Sequence, residues 1–326
     1  MPDTLTHYLF GLDTTKEISE SPLYKTIKAH RNLFFIGLQG PDPMYYHAPY
    51  KKNNYAPIGA RLHSDHTGYF LSSALCYAKK FANEPTFFEP CMAYVSGLIC
   101  HYTLDTVCHP YIFYLGGRYD RTQPETTKYL GVHKQIELAI DALLLEERFE
   151  IPAHRFKIHQ HVIKSVVIPD VILAMYDDLL FSIYAIPSGG KIFKESYKDF
   201  QNYFKLSYDR LGFKKGLVHS LKPLLPKDLV PLVDTFSYHG CIDEFEDYLN
   251  PNKKVWLHPV TGNVYTYSFA DLLRNAHKLS RIRLLSAYAF TQSETTLEEV
   301  EALLPNISYL TGLPITDTRP MKYFKF

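Results

Sequence analysis

The sequence predicts an all-α protein. Apolar residues recur at spacings of three and four along most of its 326 residues, whereas the strict alternation that is typical of strands is rare. One stretch, from Cys91 to Leu115, is apolar almost throughout and predicts a central buried helix. Helix start signals, among them Ser21-Pro22 and Ser268 three residues before Asp271, indicate the same fold class.

The spacing and the start signals place the helices along the chain. We expect them from near Thr4, from Pro22 to about Asn32, and over 65–82, 91–115 (with a stop at His109-Pro110), 132–147, 157–184 (with a bend at Pro169), 191–211, 225–236, 268–288 and 295–303. The loop over 34–63 is rich in Gly, Pro, Asn and Tyr and is longer than a passive connection, which indicates function. The segment 116–131 is predicted to be a polar loop, and the tail from Gly312 to be irregular.

Composition narrows the class of protein. A net charge of +1 gives no global basic field, so no stable nucleic-acid partner is expected. Five cysteines without a Cys-x-x-Cys pattern favour reduced thiols in a cytosolic protein. Residues 1–15 do not resemble a signal peptide, and proline and aspartates interrupt the apolar stretch 165–184, so no transmembrane segment is expected. We therefore predict a cytoplasmic protein, whose oligomeric state the sequence does not define.

The central helix carries an unusual set of ionisable side chains. His101, Asp105 and His109 are spaced by four residues and spread over only ~80° of one helix face. Burial of these groups is costly unless something pairs with them, and a zinc ion accepts both imidazole and carboxylate ligands. The alternative is a core helix whose histidines bond backbone carbonyls while Asp105 caps a neighbouring element.

The same spacing indicates more than one metal ion. The Cα atoms of His101 and His109 are expected ~12 Å apart, so both side chains could barely reach a single ion. Asp105 lies halfway between them and could bridge two ions.

Five further residues are candidate ligands elsewhere in the first half. His133 and Glu137 repeat the four-residue spacing on the next helix, although such pairs also occur on solvated faces. Asp42 lies in a stiff Gly-Pro-Asp-Pro turn, where an Asx-turn is the alternative role. His63 ends the long loop, and His7 lies on the first helix, where packing is the alternative.

The order of these residues, with the motifs HYTLDTVCHP and HKQIE, resembles the bacterial zinc-dependent phospholipase C family and the related single-strand-specific zinc nucleases (3′-nucleotidases). The resemblance implies a multi-helix bundle around a zinc cluster, here with additional C-terminal helices. Since Ile151-Pro152 marks a boundary, we predict a metal-binding helical core in 1–152 and a helical second half in 153–326 packed on it, or one continuous domain.

The resemblance also implies how two or three zinc ions are held. One ion would be bound by Asp42, His63, His101 and Asp105, and a second by His109, His133 and Glu137. Asp105 would bridge to a third ion, held by His7 and the N-terminal residue. Removal of Met1 would place the amine of Pro2 in that position, five residues before His7. The interval from Asp105 to His109 is shorter than in the secreted phospholipases, which leaves the exact placement of the second ion open.

The implied activity is hydrolysis of a phosphodiester by a metal-bridging hydroxide, with Asp42 as the candidate catalytic proton acceptor. The implied substrate is a phosphoester, either a phospholipid or a nucleotide-like molecule. Two alternatives stay open: a cytoplasmic nucleotidase or nuclease with the same site, and a non-catalytic, metal-stabilised interaction protein. An open coordination position would favour hydrolysis, and a closed site would favour the non-catalytic protein.

Overall fold

The computed structural model describes residues 3–47, 54–120, 122–164, 166–224, 233–243 and 246–325. Within these ranges the chain forms thirteen α-helices and very little strand, which confirms the predicted all-α fold. The helices are α1 Thr4–Glu17, α2 Pro22–Ala29, α3 Arg31–Gly37, α4 Ala56–Ser64, α5 Thr67–Lys79, α6 Pro85–Gly116, α7 Val132–Phe149, α8 Ile158–His161, α9 Asp170–Tyr184, α10 Gly189–Ser207, α11 Phe213–Ser220, α12 Phe269–Thr291 and α13 Leu297–Leu303.

Shorter elements connect these helices. Four 3₁₀ turns cover Asp42–Tyr46, Pro124–Tyr129, Ala153–Arg155 and Lys222–Leu224. One small antiparallel hairpin, which the sequence did not predict, pairs β1 (Trp256–Leu257) with β2 (Val264–Tyr265). The predicted helix over 225–236 falls mostly outside the described residues.

Helix α6 is the centre of the bundle. It is apolar on all sides and is covered by α1, α2, α3, α5, α7 and α12, as a fully buried helix should be. Our prediction that it stops at Pro110 is wrong, because the helix continues to Gly116 and ends at Gly117, whose φ is +64°. Pro110 removes only the bond to the Thr106 carbonyl, and Gly312 packs closely against that oxygen.

Two glycines let α3 approach α6 closely. A Cβ atom on Gly37 would lie 2.1 Å from the Tyr94 carbonyl oxygen, and one on Gly97 would lie 2.3 Å from that of Phe34. The two backbones are therefore in direct contact. This contact brings the end of α3 and the turn after it against the face of α6 that carries His101.

The long loop is more ordered than its composition predicts. Pro41 and Pro43 flank Asp42 at the start of the first 3₁₀ turn, and α4 then begins at Ala56 with a proline in its first turn. His63 therefore lies in the last turn of a helix, and the next helix begins at Thr67 instead of near Asp65.

The second half packs on the first. Helix α9 contacts α5 and α6, α10 contacts the Asp42–Tyr46 turn, and α12 contacts α1, α5 and α6. The predicted bent helix over 157–184 is wrong: α8 and α9 are separate because Pro169 starts a new helix as its N-cap. Helices α12 and α13 are confirmed with capping boxes, at Ser268 and Thr296. Where a domain boundary falls stays a prediction.

No single helix in the described ranges is long and apolar enough to cross a membrane. The pair α9 and α10 meets the criteria of length and composition only when it is taken together, with a bend of 114° between the two helices.

Candidate metal centre

Asp105 lies at the middle of the centre, on the buried face of α6. Its Oδ1 is 3.2 Å from Nε2 of His7, and its Oδ2 is 3.2 Å from Nε2 of His101. All three side chains are completely buried, and the rings of His7 and His101 stack with their centroids 4.2 Å apart. The two oxygens of one carboxylate thus face two different imidazoles, which is the arrangement of a bridging ligand.

A second group joins His101 to Asp42 and His63. Asp42 Oδ1 is 3.1 Å from His63 Nε2 and 3.9 Å from His101 Nε2. The three ligand-type atoms are mutually close, and the three residues come from the proline-bounded turn, from α4 and from α6. His66, which is close to His63 in sequence and is the alternative candidate ligand, instead lies on the surface and contacts Asp65.

A third group lies one turn further along α6. Glu137 Oε1 is 2.8 Å from His133 Nε2 and 3.8 Å from His109 Nε2. His133 and Glu137 face the same way because they are four residues apart on α7. The shorter interval after Asp105 therefore does not prevent His109 from meeting this pair.

These distances fit a metal ion. Two ligand atoms each ~2.05 Å from a tetrahedral zinc lie about 3.3 Å apart, and the separations given above run from 2.8 to 3.9 Å. Among the described residues, several buried atoms of the centre have no hydrogen-bond partner: both ring nitrogens of His7, Nε2 of His101, Nε2 of His109 and both oxygens of Asp105. Such atoms are costly to bury unless a cation pairs with them. The side chains therefore fit zinc.

Backbone carbonyls fix the orientation of three histidine rings. Nδ1 of His63 lies 2.7 Å from the Gly59 carbonyl, Nδ1 of His101 lies 3.0 Å from that of Leu38, and Nδ1 of His109 lies 2.9 Å from that of Tyr309. When Nδ1 donates to a carbonyl, Nε2 is left with its lone pair toward the cluster, as in metal-bound histidines. The histidines thus do bond carbonyls, as in the alternative that we considered, but through only one nitrogen each.

Electrostatics favour the protonation states that metal ligands need at His7, His109 and Asp105. At His101, burial alone would lower the pKa, but the carboxylates of Asp105 and Asp42 outweigh burial and raise the pKa. Burial lowers the pKa of His7, and it lowers the pKa of His109 to about 4, so both rings are neutral at neutral pH. Burial opposes ionisation of Asp105, but the nearby His101 and His109 outweigh it and hold its pKa well below the usual range. A neutral imidazole and an ionised carboxylate are the forms that bind zinc.

A cavity of about 700 Å³ lies beside the candidate metal centre and is open to solvent. His63, His109, His133 and Glu137 line it, so part of the cluster is accessible. Its walls are mainly aromatic and also carry two cations; these residues include Tyr45, Tyr46, Phe113, Tyr129, Tyr203, Phe236, Lys134 and Arg118.

Three residues that sequence reasoning missed hold α1 in place. Lys134 Nζ is 2.7 Å from Asp3 Oδ2 and 3.6 Å from Glu137 Oε2. Asp141 accepts hydrogen bonds from the backbone N–H groups of Leu5 (2.8 Å) and Thr6 (2.7 Å) in the first turn of α1. The four-residue spacing from Glu137 to Asp141 was the available signal, since it places both acids on one face of α7.

The structure thus brings together every predicted side-chain ligand, although their role in binding metal stays a prediction. Pro2 lies outside the described residues. In the second half, the described residues contain no group of His, Cys, Asp and Glu that is close enough to hold a metal ion.

Buried His, Asp and Glu groups that could hold metal ions, beside a cavity open to solvent, are the arrangement that a zinc hydrolase requires. Comparison with known families agrees. The chain belongs to the zinc-dependent phospholipase C family, whose model matches residues 6–210, more than half of the sequence.

Similarity to individual proteins is more limited. The chain is similar to Lipase 9 of Candida albicans (strain SC5314), with 31% identity over 87 residues. That match covers 27% of this chain and spans only 17% of the length of the lipase. No solved structure matches the chain significantly.

Proposed function

We propose that the protein hydrolyses phosphodiester bonds as a phospholipase C, with zinc ions held by the three side-chain groups. One observation carries the proposal: the ligand-type groups of His63, His109, His133 and Glu137 line a cavity of about 700 Å³ that is open to solvent. A structural zinc site is closed by four protein ligands, whereas a catalytic site keeps an open position. This opening argues against the non-catalytic alternative.

The proposed ion count is three, one for each group. His109, His133 and Glu137 supply three ligands to an ion at the cavity, which leaves its fourth position open. Asp42, His63, His101 and one oxygen of Asp105 hold a second ion. The other oxygen of Asp105 and His7 hold a third, which needs a further ligand, and the Pro2 amine is our candidate.

The side chains of the metal centre and of the cavity beside it have defined roles in this proposal. When bound, zinc supplies a hydroxide nucleophile near neutral pH and neutralises the phosphoryl oxygens. Asp42 is the proton acceptor: its side chain is almost completely buried, and its Oδ1 is held 3.1 Å from His63 Nε2. The aromatic walls exclude water and contact the apolar part of a substrate. Lys134 and Arg118 favour an anionic phosphoester, whether phospholipid or nucleotide-like.

The test combines metal analysis with a substrate panel. Protein purified without chelator is assayed against phospholipid vesicles, a soluble short-chain phospholipid and nucleotide phosphoesters. We expect zinc in the protein and release of a diacylglycerol together with a phosphorylated head group. A His109→Ala variant should lose activity, whereas His159→Ala, a substitution far from the candidate ligands in sequence, should retain it. If the zinc-loaded protein cleaves no phosphoester, the proposal is refuted and the alternative, a non-catalytic, metal-stabilised interaction protein, is favoured.

A cytoplasmic location is part of the same proposal. It is supported by the cysteines, since all five are free thiols. Fractionation of cells that express the untagged chain would test it, and recovery in the secreted fraction would contradict it.

A further inference from the structure

Helix α11 and the turn after it expose a row of large apolar side chains. Phe213 is 76% exposed, Leu217 64%, Leu221 43% and Leu224 80%. No residue of α11 is buried. A few exposed apolar residues are normal on any surface, but four in one short segment call for an explanation.

The four side chains form one stripe. Phe213 and Leu217 are four residues apart on α11 and share a face, and Leu221 and Leu224 continue this spacing into the C-cap and the 3₁₀ turn that follows. In an ordinary surface helix this apolar stripe would face the core. Here it faces solvent, so the stripe is without a partner in the described chain.

The opposite side of the segment attaches it to the protein through lysines. Lys215 Nζ donates to the His239 carbonyl at 2.6 Å, and Lys222 Nζ lies 2.9 Å from both oxygens of Asp234. The polar face is therefore held inward. Both contacts lie on the side of the segment opposite the stripe, so they hold the apolar stripe toward solvent.

The surroundings of the stripe are basic. Residues 205–224 contain five Lys or Arg and one acidic residue, Asp209, in a chain whose net charge is only +1. Asp209 is buried and accepts a hydrogen bond from the Lys215 backbone N–H, whereas Lys205 and Arg210 are exposed. Lys214 is also exposed, but its Nζ donates to the carbonyls of Leu206 and Tyr208. An exposed apolar stripe with exposed cations beside it complements an anionic lipid surface.

The segment that carries the stripe is attached close to the cavity of the metal centre. Lys222 Nζ contacts Asp234, and the next two residues in sequence, Thr235 and Phe236, line that cavity.

We propose that Phe213, Leu217, Leu221 and Leu224, with Lys205 and Arg210, form a docking surface for anionic phospholipid bilayers. The apolar side chains enter the boundary between head groups and acyl chains, and the cations contact the anionic head groups. The choice of a lipid surface as the occupant rests on the proposed phospholipase function, but the binding itself does not require catalysis.

The experiment measures partition of the full chain onto vesicles. Phosphatidylcholine vesicles with and without phosphatidylglycerol are sedimented with the wild type, Leu217→Glu, Phe213→Glu/Leu217→Glu and Val264→Glu. Val264 is a matched control, because it is 65% exposed on the hairpin and Leu217 is 64% exposed. Circular dichroism and zinc content verify that each variant is folded.

We expect the wild type to bind the anionic vesicles more strongly than the neutral ones. The double variant should lower the partition coefficient by about a hundredfold or more, because two apolar side chains that would enter the bilayer are replaced by carboxylates. Val264→Glu should bind as the wild type does. Hydrolysis of a soluble short-chain phospholipid should be the same in the wild type and Leu217→Glu.

Three results would overturn the inference. The first is wild-type protein that does not sediment with anionic vesicles. The second is an equal loss of vesicle binding in Leu217→Glu and Val264→Glu. The third is a dimer in solution that Leu217→Glu dissociates, which would identify a second copy of the chain as the occupant. Failure of the proposed function is distinguishable, because a chain that cleaves no phosphoester would still bind vesicles through this surface.

Discussion

Replacement of Asp105 by alanine is predicted to remove more than one metal ion. Its two carboxylate oxygens lie 3.2 Å from Nε2 of His7 and 3.2 Å from Nε2 of His101, and these nitrogens belong to different proposed ions. Loss of one side chain therefore removes a charged ligand from two ions. Glu137→Ala is the matched control, because Glu137 belongs to a single group.

The size of the effect follows from burial. Asp105 and both histidines are fully buried, and removal of one partner from a buried charged group costs about 3–5 kcal/mol. That range corresponds to about two to four powers of ten in affinity. Under a zinc concentration that just saturates the wild type, both ions that share Asp105 should be lost. Asp105→Asn keeps the shape and one acceptor oxygen, so it should retain more metal than Asp105→Ala.

The assay is elemental analysis of protein equilibrated in a zinc buffer, with circular dichroism to verify the fold. We expect about one zinc ion in Asp105→Ala and about two in Glu137→Ala, against three in the wild type, as the proposed sharing requires. His159→Ala and His161→Ala should leave the metal content unchanged. Equal losses in Asp105→Ala and Glu137→Ala would refute the bridging role.

Four further predictions follow from the structure. Gly40→Ala should weaken zinc binding by tenfold or more in titrations, because a Cβ at that position, where φ is +51°, would lie 2.3 Å from the His101 ring. Asp141→Ala should lower the free energy of unfolding in urea by about 3 kcal/mol, since the donors of Leu5 and Thr6 lose their buried acceptor. Burial lowers the pKa of His258 in the folded protein. The stability that this residue contributes is therefore complete above pH 6.5 and is lost as the pH falls through the lowered pKa. The free energy of unfolding should differ less between pH values above and below 6.5 in His258→Gln than in the wild type. Extension of the N-terminus by a few residues should reduce occupancy of the third site but leave the fold intact, and full metal content and activity in a tagged protein would contradict the proposed role of the Pro2 amine.

The sequence predicts those features of the candidate metal centre that depend on the spacing of residues within one helix. The four-residue intervals that join His101 to Asp105 and His133 to Glu137 fix a shared helix face, and a helix face is a local property. The bridging position of Asp105 followed from the same geometry. Asp42 and His63 were candidates from their local sequence, but only the resemblance placed them at the same ion, because no spacing rule relates a proline-bounded turn to a helix about twenty residues later.

The parts that were missed depend on tertiary contacts. The Tyr309 carbonyl orients His109 from 200 residues away, and no pattern in the sequence indicates such a partner. Pro110 was read as a helix stop because proline usually ends a helix, but burial on all sides keeps α6 helical beyond it. The hairpin was missed because its strands are only two residues long and show no alternation.

The contact between His109 and Tyr309 has a consequence for how the protein matures. The Tyr309 backbone N–H also donates to the His63 carbonyl at 2.9 Å, so this short segment fastens two of the ligand-bearing helices. On the ribosome these bonds cannot form until residue 309 has left the exit tunnel, long after the ligands themselves have been synthesised. Until then the ring of His109 lacks the carbonyl that orients it, so we expect tight metal binding at its group only after this segment has been synthesised. A protease that removes the segment around Tyr309 would loosen the metal without cutting any element that carries a ligand.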